Sequence, residues 1–133
     1  LVREEGYHSM SRRLLVAFLL LTLAASIMAA CGGGGGSKPQ PVSFTVIAKD
    51  IKFEPTEWRV KTGAEVTVTL KNEGALEHDW SVTLPSGEKH VHTKPGESGT
   101  VKFTAPAPGT YDVMCNVPGH KEAGMVGKLI VEP

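Results

Sequence analysis

The feature that most constrains the fold of this chain is a series of short alternating segments that follows residue 41. In residues 64–70 (Ala-Glu-Val-Thr-Val-Thr-Leu), apolar and polar side chains alternate cleanly. A period of two indicates a strand with one buried face. Glycine, proline or asparagine occurs in the short turns between these segments, at 61–63, 72–74, 85–87 and 94–96. Many short strands spaced in this way predict an all-β sandwich or barrel.

Six segments are predicted as strands: 42–48, 64–70, 79–84, 99–104, 109–115 and 128–131. No helix-length period and no internal repeat occur after residue 41. The stretch of roughly ninety residues can bury one modest core. We therefore predict a single folded domain that spans residues 42–133.

Residues 1–30 are interpreted as a targeting segment. Met10-Ser-Arg-Arg precedes an uncharged apolar run that ends in small residues, which is typical of a signal peptide. The sequence Ala-Ala-Cys31-Gly resembles a bacterial lipoprotein cleavage site, which implies a lipid on Cys31. An uncleaved transmembrane helix is the alternative, since the run is at the short end of the roughly 17–25 residues that span a bilayer. Both interpretations place the domain at the outer face of the cytoplasmic membrane.

Residues 31–41 are predicted to be the lipidated cysteine and a flexible linker. Five consecutive glycines and a serine are followed by Pro39-Gln40-Pro41. A linker of this composition has a root-mean-square reach of roughly 15–20 Å. Such a tether suits a domain that moves between two partners, and a simple spacer is the alternative.

Charge and cysteine content exclude several classes of protein. The chain has 14 basic and 14 acidic residues and no basic stripe, which argues against a nucleic-acid partner. The two cysteines are Cys31 and Cys115. A disulfide is the default for two cysteines in an exported protein. Here lipidation explains the first cysteine better, and metal binding explains the second.

The strongest chemical signal is a thiol, an imidazole and a thioether spaced five residues apart, in Cys115, His120 and Met125. They lie between two predicted strands, and His78 stands at the start of another. Two imidazoles, a thiolate and a weak axial thioether form the ligand set of blue (type 1) copper. Soft sulfur favours Cu(I) and imidazole favours Cu(II), so a rigid mixed site changes little between the two states. The pattern predicts rapid one-electron transfer.

Other interpretations compete for parts of this set. A lone cysteine is commonly a buried core residue, but the loop spacing favours metal ligation for Cys115. His90 and His92 compete with His78 for the position of the upstream histidine. Because they are two apart, they share one face of a strand. We interpret them as solvated histidines, with a second metal site as the alternative.

The segment 115–125, with His78 upstream, resembles the cupredoxins. Its spacing resembles that of the auracyanins most, and plastocyanin and azurin are relatives with loops of different spacing. The lead-in strand 109–115 is also similar, and the resemblance covers residues 42–133. It implies a Greek-key β-sandwich, an electron-carrier function and one copper ion. The implied ligands are His78, Cys115, His120 and Met125.

The resemblance also implies how electrons enter and leave. In the cupredoxins the second ligand histidine is the solvent-exposed portal, and His120 is the matching residue. Redox-partner proteins of an electron-transfer chain are expected to dock there through a small interface. One departure is Asp79, where many relatives carry an asparagine that pins the ligand loop. A carboxylate cannot donate those hydrogen bonds, and its negative charge is predicted to lower the reduction potential.

The predicted function is therefore a one-electron carrier between membrane-associated redox partners, with a monomer as the default oligomeric state. A copper-binding or copper-delivery protein is the alternative, although it has less need of a thiolate. A nitrite reductase or multicopper oxidase needs further copper sites. Apart from the predicted ligands, the histidines after Met10 are His90 and His92. A binuclear copper domain needs two loop cysteines, and this loop has one.

Overall fold

The structure is a computed structural model that describes residues 38–133. The predicted targeting segment, Cys31 and the first part of the linker lie outside the described residues. Within 38–133, no helix is long and apolar enough to cross a membrane. The described residues form nine strands: β1 (Val42–Lys49), β2 (Lys52–Glu54), β3 (Glu57–Lys61), β4 (Glu65–Asn72), β5 (His78–Leu84), β6 (Gly87–Thr93), β7 (Ser98–Thr104), β8 (Gly109–Met114) and β9 (Val126–Glu132).

The strands form two sheets that make a β-sandwich, so the predicted all-β fold class is confirmed. One sheet has the order β2-β1-β4-β7 and the other the order β3-β9-β8-β5-β6. The pairs β1–β4 and β3–β9 are parallel, and the remaining pairs are antiparallel. These long-range pairings place strands from distant parts of the chain side by side.

The alternation of side chains explains which faces are buried. In β4, Val66, Val68 and Leu70 point into the core, while the intervening threonines are partly exposed. In β5, six of the seven residues are buried, because this strand lies inside its sheet between β6 and β8. His78, the first residue of β5, therefore begins a strand that is paired on both sides.

The hydrophobic core contains four aromatic side chains that pack against one another. Trp80 and Phe103 stack with ring centroids 6.1 Å apart. Trp58 meets Trp80 edge to face at 5.9 Å, and Phe53 meets Trp58 in the same way at 6.2 Å. Such offset and edge-to-face pairs stabilise a core beyond the area that they bury. Both tryptophans are buried in the core.

The six predicted strands are present as β1, β4, β5, β7, β8 and β9, with ends displaced by a few residues. The strands that the pattern did not indicate are β2, β3 and β6. All three lie at the edges of their sheets, where only one neighbour is required and polar residues are tolerated. In β6 (Gly-Glu-Lys-His-Val-His-Thr), Val91 and Thr93 are the buried residues, so its hydrophobic signal is weak.

Candidate metal centre

Three donor side chains from separate parts of the chain converge at one end of the sandwich. His78 begins β5, Cys115 directly follows β8, and His120 lies in the loop between β8 and β9. Because β8 is antiparallel to both of its neighbours, the start of β5, the end of β8 and the start of β9 lie at the same end of the sheet. One donor atom from each residue lies within 4.8 Å of the other two, and all three side chains are buried. Among residues 38–133, no other trio of histidine, cysteine or acidic donors is this close.

The loop of residues 115–125 is closed by backbone hydrogen bonds. The Cys115 N–H donates to the carbonyl of Met125 at 3.1 Å, and the Met125 N–H donates to the carbonyl of His120 at 2.9 Å. The Met125 side chain is fully buried. The thioether residue is thereby held next to the cysteine and the second histidine, so all four predicted ligands lie in one region.

The sulfur of Cys115 is surrounded by groups that suit a bound metal. Its Sγ lies 3.5 Å from Nδ1 of His120, and the backbone N–H of Asp79 donates to it at 3.3 Å. Burial raises the pKa of the Cys115 thiol, because desolvation disfavours the thiolate. A metal cation deprotonates a coordinating thiol outright, and the Asp79 N–H would then donate to an anion. The buried position suits a ligand rather than a solvent-exposed nucleophile.

The imidazole of His78 is held in the form that a metal ligand requires. Its Nε2 lies 3.4 Å from Oδ1 of Asp50, while its buried Nδ1 has no hydrogen-bond partner among the described residues. Burial lowers the pKa of His78, against the smaller opposing effect of Asp50. The ring is therefore neutral near pH 7, with its N–H directed to the carboxylate and a lone pair on Nδ1. A buried nitrogen without a partner is costly, and a metal ion beside Cys115 would satisfy it.

Asp50, which follows β1, is a residue of the site that sequence reasoning missed. Its carboxylate accepts hydrogen bonds from the backbone N–H groups of Ala75 at 2.9 Å and Leu76 at 3.3 Å. The pKa of Asp50 is lowered, chiefly by the hydrogen bond from Ala75, so it faces His78 as an anion. A Cβ at Gly74 would lie 2.3 Å from Asp50 Oδ1, so this arrangement needs a glycine there. No local motif reveals the pair, because 28 residues separate Asp50 from His78.

The carboxylate of Asp79 is turned towards β6 rather than towards the ligand loop. Its Oδ1 lies 2.5 Å from His92 Nδ1, and its Oδ2 lies 3.3 Å from His90 Nε2. The two histidines are 44% and 41% exposed, so the expectation of solvated side chains is only part of the description. The upstream histidine next to Cys115 Sγ is His78. His90 and His92, which competed for that position, contact Asp79 instead.

These features define a class of protein: a single β-sandwich with one buried centre of sulfur and imidazole donors. Residues 14–131 match the family of the cupredoxin-like domain, and the chain belongs to that family.

Relatives and solved structures agree with this assignment. The chain is 31% identical over 122 residues to auracyanin-A of Chloroflexus aurantiacus, covering 68% of this chain and 75% of that protein. It is 29% identical over 113 residues to the copper-resistant cuproprotein CopI of Rubrivivax gelatinosus, covering 71% of this chain and 68% of that protein. The structure of dithionite-reduced auracyanin from the photosynthetic bacterium Roseiflexus castenholzii superposes with a TM-score of 0.64 at 26% identity, covering 74% of this chain and all of that one. The predicted resemblance to auracyanins is confirmed.

Proposed function

We propose that this protein is a blue copper electron carrier that holds one copper ion with His78, Cys115, His120 and Met125. The observation that carries the proposal is the buried meeting of Cys115 Sγ with the donors of two imidazoles within 4.8 Å. The unpaired Nδ1 of His78 gives independent support. This donor set matches the chemistry of type 1 copper, in which thiolate and imidazole are joined by a weak axial thioether.

The role of the protein in this proposal is to keep the donors fixed. Copper bound there supplies the one-electron change between Cu(I) and Cu(II). The carboxylate of Asp50 lies beside His78 Nε2 and holds that ring in place. A backbone hydrogen bond between Cys115 and Met125 closes the base of the ligand loop. Because each donor already has its position, little of the surrounding structure must rearrange when charge changes. Small rearrangement favours fast electron transfer.

The surface near the centre supports docking by a redox partner. His120 is 7% exposed, whereas the other three proposed ligands are each 0% exposed, so His120 is the proposed ligand nearest to solvent. The two exposed large apolar side chains in the described part of the chain are Leu76 and Val126. Leu76 lies two residues before His78, and Val126 directly follows Met125. Exposed apolar side chains that are close in sequence to two proposed ligands suit the transient, small interfaces of redox encounters.

The proposed setting is the outer face of a bacterial cytoplasmic membrane, with the domain tethered through a lipid on Cys31. Support comes from the sequence pattern of a basic start, an apolar run and a cysteine followed by glycines. Metabolic labelling with a radioactive or clickable fatty acid tests this anchor. Label is expected in the natural precursor and absent after Cys31→Ser. Equal labelling of both proteins contradicts the lipid anchor.

A second candidate function is copper binding in copper resistance, which the similarity to the CopI protein of Rubrivivax gelatinosus favours. In that case the bound copper is the cargo and must exchange readily. A carrier, in contrast, keeps its copper through many cycles of oxidation and reduction. Copper retained against a Cu(I) chelator over repeated cycles supports the carrier, and copper lost in the first cycle supports resistance.

Protein-film voltammetry tests the electron-carrier proposal. We expect a reversible one-electron couple for the copper-loaded protein, absent in Cys115→Ser. Glu122→Gln is the matched control, because it changes an exposed residue of the same loop. Its couple is expected to remain. A couple that persists without the cysteine contradicts the proposal, as does an irreversible response from the unaltered protein.

A further inference from the structure

A second group of metal-binding side chains lies on the outer face of the β5–β6 hairpin. His90 and His92 are two residues apart on β6, so their imidazoles project from the same face. Asp79 is the direct cross-strand partner of His92 in the β5–β6 pairing. Its carboxylate lies between the two imidazoles, with one oxygen near each. The copper centre uses none of these three side chains.

Each histidine lies close to one carboxylate oxygen of Asp79, but the donor atoms of all three residues are not within 4.8 Å of one another. One ion can bind all three only after the two imidazoles turn towards each other. His90 Nε2 and Asp79 Oδ2 are 3.3 Å apart, which is about the spacing of two tetrahedral ligands at roughly 2.0 Å from zinc. His92 Nδ1 and Asp79 Oδ1 are 2.5 Å apart, which is a direct hydrogen bond. An ion between them requires this distance to increase by less than about 1 Å. Both histidines are more than 40% exposed, so their rings can turn inward without disturbing the core.

Glu77 supplies the partner that a metal-bound His92 needs. When Nδ1 of His92 binds a metal ion, the ring must carry its proton on Nε2. Glu77 Oε2 lies 3.6 Å from that Nε2 and can accept the hydrogen bond. A carboxylate on the far nitrogen of a ligating histidine fixes the tautomer and makes the histidine a stronger ligand.

We propose that Asp79, His90 and His92 form a second cation site that binds a divalent transition metal of the Zn²⁺ class. Glu77 orients His92, and water completes the coordination. The carboxylates of Asp79 and Glu77 bring negative charge to this face, which attracts a dication. The Asp79 side chain is 10% exposed, so solvent screens its charge only in part. Imidazole with carboxylate is a donor set that zinc accepts readily.

The site goes beyond the proposed function, because its ligands differ from those at the copper centre. Titration of the full-length protein with Zn²⁺, after the copper centre is filled with Cu(I), tests it by amide NMR spectroscopy. Changes are expected in residues 88–93 of β6, saturating at one equivalent. His92→Ala is expected to weaken Zn²⁺ binding at least tenfold, and Glu77→Gln several-fold. Glu88→Gln is the control from the same strand, and its affinity is expected to stay within twofold.

Two results overturn the proposal: chemical-shift changes confined to residues 115–125, or equal Zn²⁺ affinity with and without His92. Because the readout is resolved by residue, it keeps its meaning if the copper centre does not load with copper. Failure of copper loading counts against the proposed function, while absence of changes in β6 counts against the second site. A folded spectrum of each variant before titration shows that lost binding is not lost structure.

Discussion

Asn72, at the end of β4, is a buried polar residue whose side chain contacts the segment before His78. Its Nδ2 donates to the carbonyls of Leu76 at 2.8 Å and Thr93 at 3.2 Å. Its Oδ1 accepts the N–H of Gly74 at 2.9 Å. The side chain thus shapes residues 73–76, the segment whose N–H groups hold Asp50 against His78.

Replacing Asn72 with alanine removes three hydrogen bonds at once. At about 1 kcal/mol net for each, the free energy of unfolding is expected to fall by about 3 kcal/mol. For a domain near one hundred residues, this corresponds to a fall of roughly 10–20 °C in Tm. The loss exceeds that of a typical surface substitution, because three backbone groups are left without their partner.

Urea denaturation of the metal-free protein measures this loss, with Lys71→Ala as the neighbouring control. Lys71 contacts Glu73 at the exposed surface, and such pairs contribute little. The control is expected to unfold close to the unaltered protein. If Asn72→Ala loses no more stability than Lys71→Ala does, the structural role given to Asn72 is wrong.

Three further predictions concern the charges around the centre. Asp50→Asn is expected to raise the reduction potential in voltammetry, because it removes a negative charge near His78 Nε2 that favours Cu(II). Asp112→Asn, which changes an exposed carboxylate of β8, is the control. An equal shift in both variants contradicts the specific role of Asp50. Asp79→Asn is also expected to raise the potential for the same electrostatic reason, and an unchanged or lower value refutes it. Burial lowers the pKa of His78 from its ordinary 6.5 and raises that of Cys115 from 9.0. The free energy of unfolding of the metal-free protein is therefore expected to fall below about pH 6.5, where the unfolded chain takes up a proton first, and above about pH 9, where the unfolded chain loses the thiol proton first. Denaturation at a series of pH values measures this, and a profile that is flat at both ends contradicts it.

How much could be predicted from sequence depended on how local each signal was. Cys115, His120 and Met125 lie within eleven residues, so their spacing alone indicated a metal loop. In the structure, Cys115 and His120 of that loop lie close to His78. Alternation in residues 64–70 fixed the buried face of β4, because packing on one side only leaves a period of two.

The sequence did not predict the edge strands or the residues that hold the ligands in place, and the reason is different. β6 is polar along most of its length, since its outer face meets solvent and Asp79 rather than the core. The Asp50–His78 contact joins the turn after β1 to the first residue of β5, which is distant in sequence, and only the folded structure brings the two residues together. The bonds of Asn72 to residues 74, 76 and 93 likewise depend on tertiary structure.

The most direct test of the central claim is the visible absorption spectrum of the purified protein after addition of Cu(II). The account predicts an intense blue thiolate-to-copper band that reductant bleaches and oxidant restores, and that is absent in Cys115→Ser. A colourless or weakly coloured complex, or a band that survives in Cys115→Ser, would contradict the assignment of Cys115 as a copper ligand.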